Sequence, residues 1–202
     1  MKRLLPLNLS MGPGERGFSL MEMLVVVAIG GILAAMAAPS LISVIESNRR
    51  ITISNQLMED LAFARRQAIA LSTSVALCGS DSTQSDTCTD HNPHPTDWSN
   101  GWYTYIGSSN ELTPASAAAG LVLRQPQALP SGWKVDARLS SPGNFVYMGA
   151  RSTTNRFGNF TIYREGSTTA ACVVVSATGR ARAYTVKAAS GVVSTASNLC
   201  GS

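Results

Sequence analysis

The longest apolar stretch of the chain lies near its N-terminus and runs from Phe18 to Ala38. Its 21 residues would span about 31 Å as an α-helix, close to the thickness of a bilayer core. Glu22 is the one charged residue within this stretch, and Pro39 follows it. Residues 1–17 are short, basic and polar-ended. The pattern predicts a membrane-inserted helix behind a basic leader.

Two residues set this segment apart from an ordinary secretory signal. An ordinary signal is cleaved after its apolar region. Here the candidate cleavage residue, Gly17, stands before the apolar region. Cleavage after Gly17 would keep the helix on the mature protein and create an α-amine at Phe18. A carboxylate in an apolar span costs about 2.5–3.5 kcal/mol, so Glu22 needs a cation, and the amine of a neighbouring copy could supply one. A plain anchor that tolerates Glu22 is the alternative.

The hexapeptide Gly17-Phe18-Ser19-Leu20-Met21-Glu22 resembles the class III signal of type IV pilins and pseudopilins. The resemblance implies a prepilin peptidase that cleaves between Gly17 and Phe18 and N-methylates Phe18. It also implies that Glu22 serves assembly with other pilins in a filament. The expected location is the bacterial inner membrane, with one pass and a periplasmic C-terminal domain, and later a pilus or pseudopilus. Pro39 matches the helix-bending proline of many pilins.

After Pro39 the apolar residues follow helical spacing. This pattern predicts an amphipathic continuation of the helix over 39–72, with one face packed on a sheet. The predicted apolar stripe is Leu41, Val44, Ile45, Ile51, Leu57, Leu61, Ala64, Ala68 and Leu71, with Asn48 in the same register. The predicted solvated face is Arg49, Arg50, Glu59, Asp60, Arg65 and Arg66.

From Ser74 onward the period shortens and turn residues multiply, which is typical of β-structure. The predicted strands are 74–78, 101–106, 121–124, 134–139, 145–148, 159–164, 171–176 and 182–186. The expected fold class is therefore α+β, a type IV pilin-like long helix packed on an antiparallel β-sheet domain. The expected organisation is a cleaved leader (1–17), a transmembrane and filament-core helix (18–38), its amphipathic continuation (39–72) and a periplasmic β-rich domain (73–202).

Composition supports a folded, exported domain. Apolar residues make up 45% and charged residues 14% of the chain, which excludes bulk disorder. Four cysteines in an exported domain favour disulfides and allow three pairings; we favour Cys78–Cys88 and Cys172–Cys200. Zinc is the alternative for the cluster Cys88, His91 and His94, but the usual second Cys-x-x-Cys pair is missing, so no metal site is expected.

Charge is unevenly distributed along the β-rich part. Residues 78–111 contain five acidic side chains and no Lys or Arg. Residues 121–202 contain two acidic side chains, Asp136 and Glu165, against nine basic ones, a net charge of +7. The nine are Arg124, Lys134, Arg138, Arg151, Arg156, Arg164, Arg180, Arg182 and Lys187. A basic patch is the electrostatic footprint expected for a polyanion partner, although many such faces bind nothing.

Within this basic half, the segment Thr178-Gly179-Arg180-Ala181-Arg182 combines a turn with two arginines two residues apart. Residues at that spacing in a strand project from the same face. Arginine offers forked donors that match phosphate oxygens, so the pair could contact a nucleic-acid backbone without reading its sequence. Tyr184 could add a stacking surface. An ordinary polar hairpin is the alternative.

The segment Gly179-Arg180-Ala181-Arg182 resembles the G-R-x-R motif of the FimT/GspH family of pilin-like proteins. Members of the FimT branch are minor pilins that bind DNA for uptake in natural transformation. The resemblance implies that Arg180 and Arg182 contact double-stranded DNA, with Gly179 as the motif glycine. Weaker candidates from the same basic half are Lys187, Arg151 and Arg156.

Two other function classes compete with DNA uptake. The GspH branch serves type II secretion as a minor pseudopilin, so a structural or pilus-priming role is the first rival. An enzyme is not expected, because His91 and His94 have no nucleophile motif, phosphate loop or carboxylate pair around them. No cofactor is expected either.

Overall fold

The computed structural model describes residues 17–80, 97–107, 121–125, 127–140, 145–148, 153–154, 157–188, 191, 193 and 199–200. Residues 38–39, 145–148 and 153–154 are described by their backbone alone. Several sequence predictions lie outside these residues: the leader before Gly17, Cys88, His91, His94, Arg151 and Arg156.

One helix, α1, spans Leu20–Leu71. The chain forms two compact units, Met1–Ile45 and Glu46–Ser202. In the first unit the helix leaves large apolar side chains such as Val25, Ile29 and Leu33 exposed. This part of α1 is long and apolar enough to cross a membrane, judged by length and composition.

The helix ends in a defined C-cap. Ser72 adopts a φ of 49°, and its N–H donates to the Ile69 carbonyl at 3.3 Å. The Thr73 N–H donates to the Ala68 carbonyl at 3.2 Å. This pair of bonds is the Schellman motif, which satisfies carbonyls that have no partner within the helix. It turns the chain directly into the first strand.

The described strands form two antiparallel sheets, and all eight predicted strands are present. The first sheet has the order β3-β2-β1-β5-β6 and the second the order β4-β7-β8-β9. The two-residue strand β6 is the one that the sequence pattern did not predict. The bounds are β1 Val75–Gly79, β2 Trp102–Ile106, β3 Val122–Arg124, β4 Trp133–Leu139, β5 Phe145–Met148, β6 Thr153–Thr154, β7 Gly158–Arg164, β8 Thr169–Val175 and β9 Ala181–Lys187.

The second half of α1 packs on the sheets through one apolar face. Its buried residues are Ile53, Leu57, Leu61, Ala64 and Ala68, and they share one core cluster with residues from both sheets. At about 25 cal/mol per Å² of apolar surface removed from water, each buried leucine stabilises the fold by about 1.5–3 kcal/mol. The predicted α+β architecture, a helix packed on antiparallel sheets, is confirmed.

The predicted helix faces need correction in their details. Five residues predicted in the stripe are 44–61% exposed: Leu41, Val44, Ile45, Ile51 and Leu71. Ile53, which was not predicted in the stripe, lies in the core. Arg50 and Asp60, both predicted on the solvated face, are buried, with 8% and 6% of their surface exposed. Each has a partner that the helical pattern could not reveal: Arg50 donates to the Thr169 hydroxyl.

Asp60 is the centre of a polar cluster between α1 and the first sheet. Its Oδ2 accepts from the Trp102 indole N–H at 2.8 Å, and its Oδ1 pairs with Arg124. Arg124 also lies 3.2 Å from Glu59 Oε1, and its guanidinium carbon is 4.1 Å from the centroid of the Phe63 ring. Burial acts to lower the pKa of Arg124, but the hydrogen bond and charge of Asp60, followed by those of Glu59, outweigh it and raise that pKa.

The C-terminal tail is fixed to the face of the second sheet that points away from α1. Cys172, in the middle of β8, forms a disulfide with Cys200, with a Cα–Cα distance of 5.5 Å. The side-chain amide of Asn159 donates to the Cys200 carbonyl at 3.3 Å. Closing such a loop typically stabilises a fold by about 2–4 kcal/mol. Cys78 is also disulfide-bonded; Cys88, its predicted partner, lies outside the described residues.

Tyr163 on β7 gives an expected pH dependence. It is 6% exposed, and burial, followed by the charge of Asp136, raises its pKa. Because the folded protein holds this proton more tightly, the contribution to stability is complete below the ordinary tyrosine pKa of about 10 and is lost as pH rises through the folded value. We expect Tyr163→Phe to make the free energy of unfolding fall less steeply above about pH 10.

Urea denaturation across a pH series would measure this slope. Tyr184→Phe is the matched control, because Tyr184 is an exposed tyrosine of the same sheet. It controls for the loss of a tyrosine hydroxyl from the same sheet. Equal slopes for wild type and Tyr163→Phe would contradict the prediction.

Candidate nucleic-acid interface

A tight hairpin joins β8 to β9 and carries the Gly-Arg-x-Arg segment. The Gly179 N–H donates to the Ser176 carbonyl at 2.8 Å, and the Ser176 N–H donates to the Arg180 carbonyl at 3.0 Å. Gly179 has a φ of 76°, a conformation that glycine adopts without steric cost. A three-residue loop that ends in a left-handed glycine is a common hairpin connection. The motif glycine therefore sets the position at which Arg180 enters β9.

The hairpin presents both motif arginines to solvent on one face. Arg180 and Arg182 are exposed, and Arg182 pairs in register with Val174 of β8. Ala181 between them packs against the core, so strand alternation directs both arginines to the opposite, outer face. Two residues of strand separate their Cα atoms by about 6.6 Å.

Four basic residues of the described strands have a carboxylate partner, whereas the two motif arginines and Lys187 have none among the described residues. Within the described residues, no carboxylate pairs with Arg180 or Arg182. Ion pairs elsewhere on the strands join Arg124 to Asp60 and Glu59, Lys134 to Glu165, Arg138 to Asp136, and Arg164 to Glu46. Four of the nine basic residues of this half are thus paired with carboxylates, and the described ones without such a pair, Arg180, Arg182 and Lys187, lie on β9 or directly before it.

The structure does not bring all the predicted basic candidates together. Lys187 is exposed at the far end of β9 and pairs with Thr169. It lies five residues from Arg182, about 16 Å along the strand, and alternation places it on the other face. Arg151 and Arg156 lie outside the described residues. The candidate interface in the structure is therefore the hairpin with Arg180 and Arg182.

The sequence reasoning missed a residue near this hairpin. Phe157, directly before β7, is 53% exposed. Its carbonyl accepts from the Ser140 N–H at 2.7 Å, which extends the pairing of β4 and β7 by one residue. The sequence signal that could have pointed to Phe157 was a large aromatic residue next to Gly158, at the start of a strand. Its proximity to Arg180 depends on strand order, which local patterns do not reveal.

The N-terminal candidates lie at the start of α1. Gly17 and Phe18 precede the helix, and Phe18 is 76% exposed. Glu22 lies in the first helical turn, where a carboxylate is favourable because it faces the positive end of the helix dipole. Within the described residues Glu22 has no ion-pair partner, so its pairing with a neighbouring subunit stays a prediction. Among those same residues, no group of three metal-ligating side chains occurs.

Comparisons with known proteins place the chain in a family. Residues 54–179 match the family model of the type II transport protein GspH, and residues 13–38 match the prokaryotic N-terminal methylation motif. The GspH match ends at Gly179, directly before Arg180. No curated protein sequence matches the chain.

Two solved structures resemble the chain, both of the type IV minor pilin FimU from Pseudomonas aeruginosa strain PAO1. In one crystal form the identity is 16% and the TM-score 0.49, covering 69% of this chain and 90% of FimU. In the other the identity is 16% and the TM-score 0.45, covering 66% and 90%.

The methylation motif implies processing by prepilin peptidase, insertion in the inner membrane and incorporation into a pilus or pseudopilus. The family model covers more than half of the chain, and its members are structural proteins without enzymatic activity. The chain belongs to the GspH family and is a minor pilin or pseudopilin of the type IV pilus and type II secretion systems.

Proposed function

We propose that this protein is a minor type IV pilin that binds double-stranded DNA through Arg180 and Arg182, in support of DNA uptake during natural transformation and of pilus assembly. The observation that carries the proposal is the exposure of both arginines, without acidic partners in the described structure, on one face of a tight hairpin. Guanidinium groups held in this way are suited to phosphate oxygens. Contacts to the backbone alone give sequence-independent, salt-sensitive binding.

The proposal assigns a role to each end of the chain. Prepilin peptidase cleaves between Gly17 and Phe18 and methylates the new Phe18 amine. Glu22 then pairs with the amine of a neighbouring subunit, and apolar burial between helices drives assembly. The β-rich domain remains outside the filament core, with the Arg180–Arg182 hairpin accessible to DNA.

A second candidate is a purely structural subunit, either a type II secretion pseudopilin or a pilus-priming subunit. The observation that favours it is the family model itself, which is described as a type II transport protein and ends before Arg180. In this role the hairpin would contact other pilins and not nucleic acid.

The test is DNA binding by residues 46–202, measured by fluorescence anisotropy on two unrelated labelled duplexes. Starting at Glu46 retains its ion pair with Arg164, and residues 46–202 form one compact unit. We expect wild-type affinity to fall steeply between about 50 and about 200 mM salt and to be similar for both duplexes. Arg180→Gln and Arg182→Gln should each reduce the slope of log K against log salt by about 1, and the double variant by about 2.

Lys187→Gln is the matched control. It removes the same charge from the same strand, but on the other face, and should leave the slope close to that of the wild type. Circular dichroism would verify that each variant is folded. No binding at low salt by folded wild-type protein, or an equal loss in Lys187→Gln, would contradict the assignment of the site and favour the structural candidate.

A further inference from the structure

We propose that the outer face of the second sheet, where the disulfide-bonded tail leaves it exposed, also binds the unpaired bases of single-stranded DNA, with Phe157 and Tyr184 as stacking surfaces on either side of the two arginines. We call Phe157, Arg180, Arg182 and Tyr184 the stacking face. The inference rests on the proposed DNA-binding function and deepens it, because it adds a second form of DNA that the site binds and names the residues that bind its bases.

Register places Phe157 and Arg180 in one row across three strands. Gly158 pairs with Val175, so the next position on each strand brings Phe157 opposite Ser176. Ser176 in turn bonds to Arg180 across the hairpin, with 3.0 Å between the Ser176 nitrogen and the Arg180 oxygen. Two strand spacings separate Phe157 from Arg180, about 10 Å.

Alternation places these side chains on the same face. Phe160 and Ile162 of β7 lie in the core with the helix, so Phe157, at odd spacing from Phe160, lies on the outer face. On β9, Arg180, Arg182 and Tyr184 follow one another on that face at steps of about 6.6 Å. Two phosphate contacts and then an aromatic contact therefore follow one another over a distance that suits an extended strand.

Phe157 and Tyr184 are unusual in their exposure. They are 53% and 40% exposed, whereas the aromatic side chains described on β2, β4 and the rest of β7 are buried: Trp102, Tyr103, Tyr105, Trp133, Phe160 and Tyr163. A phenylalanine has no hydrogen-bonding group, so an exposed ring offers only its apolar face and edge. Two exposed rings beside two unpaired arginines form the combination that single-strand binders use.

The stacking face discriminates between forms of DNA. In a duplex both faces of each base are covered by neighbouring base pairs, so an aromatic side chain on the surface of the sheet cannot stack on them. In a single strand the bases can rotate onto Phe157 and Tyr184 while Arg180 and Arg182 hold the phosphates between them. Duplex binding therefore depends on the arginines alone, and single-strand binding depends on the arginines and the rings.

The experiment uses the full chain in detergent micelles and three labelled probes of equal length: oligothymidine of about 12 nucleotides, within the usual site sizes, an abasic strand with the same phosphates, and a duplex. We expect wild-type protein to bind oligothymidine more tightly than the abasic strand. Phe157→Ala should weaken oligothymidine binding by about 5- to 150-fold, the range for loss of one stacked base. The affinities of this variant for the abasic strand and for the duplex should stay within about twofold of the wild-type values, as for other surface substitutions.

Two variants sharpen the interpretation. Phe157→Trp keeps an aromatic face and should retain oligothymidine binding. Ile69→Ala removes an exposed apolar side chain of α1 and should change none of the three affinities.

The possible outcomes separate this inference from the proposed function. If Phe157→Ala changes no affinity, or weakens all three probes equally, while the Arg180→Gln/Arg182→Gln variant loses duplex binding, the stacking inference is overturned and the DNA-binding proposal stands. If folded wild-type protein binds none of the probes at low salt, both are overturned. Both are supported if the Phe157→Ala loss is confined to oligothymidine while the wild-type protein binds the duplex and the Arg180→Gln/Arg182→Gln variant does not.

Discussion

Asp60→Leu is expected to lower the free energy of unfolding by about 1–4 kcal/mol, because it leaves a buried donor without an acceptor, at a cost of about 1–3 kcal/mol, and breaks a partly exposed ion pair that contributes about 0–1 kcal/mol. The Asp60 carboxylate is 9% exposed and pairs with Arg124. It also accepts the indole N–H of Trp102, which is itself buried. Leucine is close in size but satisfies neither group. The substitution therefore leaves a buried donor without a partner and removes the carboxylate that holds Arg124 against α1.

Urea denaturation followed by tryptophan fluorescence would measure this loss, because Trp102 lies in the affected cluster. Glu59→Leu is the matched control: it removes the neighbouring carboxylate, which also pairs with Arg124 but is 66% exposed. Exposed ion pairs contribute about 0–1 kcal/mol to stability, so Glu59→Leu should change the free energy of unfolding little. Combining Asp60→Leu with Arg124→Met should cost less than the sum of the two single variants. If Asp60→Leu and Glu59→Leu lowered the free energy of unfolding equally, the central role of Asp60 in the cluster would be contradicted.

Gly158→Ala is the second substitution with a large expected effect, about 4 kcal/mol or more, in the range that marks a specific structural cause. A Cβ at this position would overlap the Arg138 carbonyl oxygen and lie 2.8 Å from the Leu139 Cα. Both obstacles are backbone atoms of β4 that pair directly with β7. Neither can move without breaking the ladder between the two strands, so side-chain rearrangement cannot relieve the overlap.

Gly166→Ala separates this overlap from the ordinary cost of replacing a glycine. Gly166 has a φ of 81° and no heavy atom within 4 Å of its Cβ position. Gly166→Ala should therefore lower the free energy of unfolding by only about 1–2 kcal/mol, the cost of the left-handed conformation for a residue with a Cβ. The two variants would be compared by urea denaturation. A Gly158→Ala protein as stable as Gly166→Ala would contradict the close approach of β4 and β7.

Gly158 also connects stability to the candidate site. It is adjacent to Phe157, and the close approach that it permits aligns Ser140 with Phe157 at the end of the β4–β7 ladder. The position of the exposed ring relative to Arg180 thus depends on a glycine whose role is purely steric. This dependence is why the test of the stacking inference changes Phe157 itself and leaves Gly158 unchanged.

Much of the fold could be predicted from local patterns. The 3.6-residue period after Pro39 placed Leu57, Leu61, Ala64 and Ala68 on one face, and all four are buried. Alternating apolar residues bounded by turn signals placed eight strands. Predictions of this kind succeed because helical and strand periods are properties of a short segment and do not require knowledge of its partner.

The errors occurred where a partner distant in sequence decides the outcome. Arg50 and Asp60 were assigned to a solvated face because charged residues are normally exposed. Arg50 instead meets Thr169, 119 positions away, and Asp60 meets Arg124, 64 positions away. Burial of a charge is tolerated only when a partner compensates it, and no local pattern shows where that partner lies.

Local sequence is enough to predict the membrane-inserted helix, the N-terminal methylation motif, the α+β class and the two arginines of the hairpin, because each depends on residues close together in the chain. Tertiary structure alone decided which basic residues keep an unpaired charge and which aromatic rings remain exposed. It placed Lys187 on the face opposite Arg182 and brought Phe157 into the row of Arg180. The physical reason is that pairing and burial depend on the register between strands, which the order of residues within one strand does not specify.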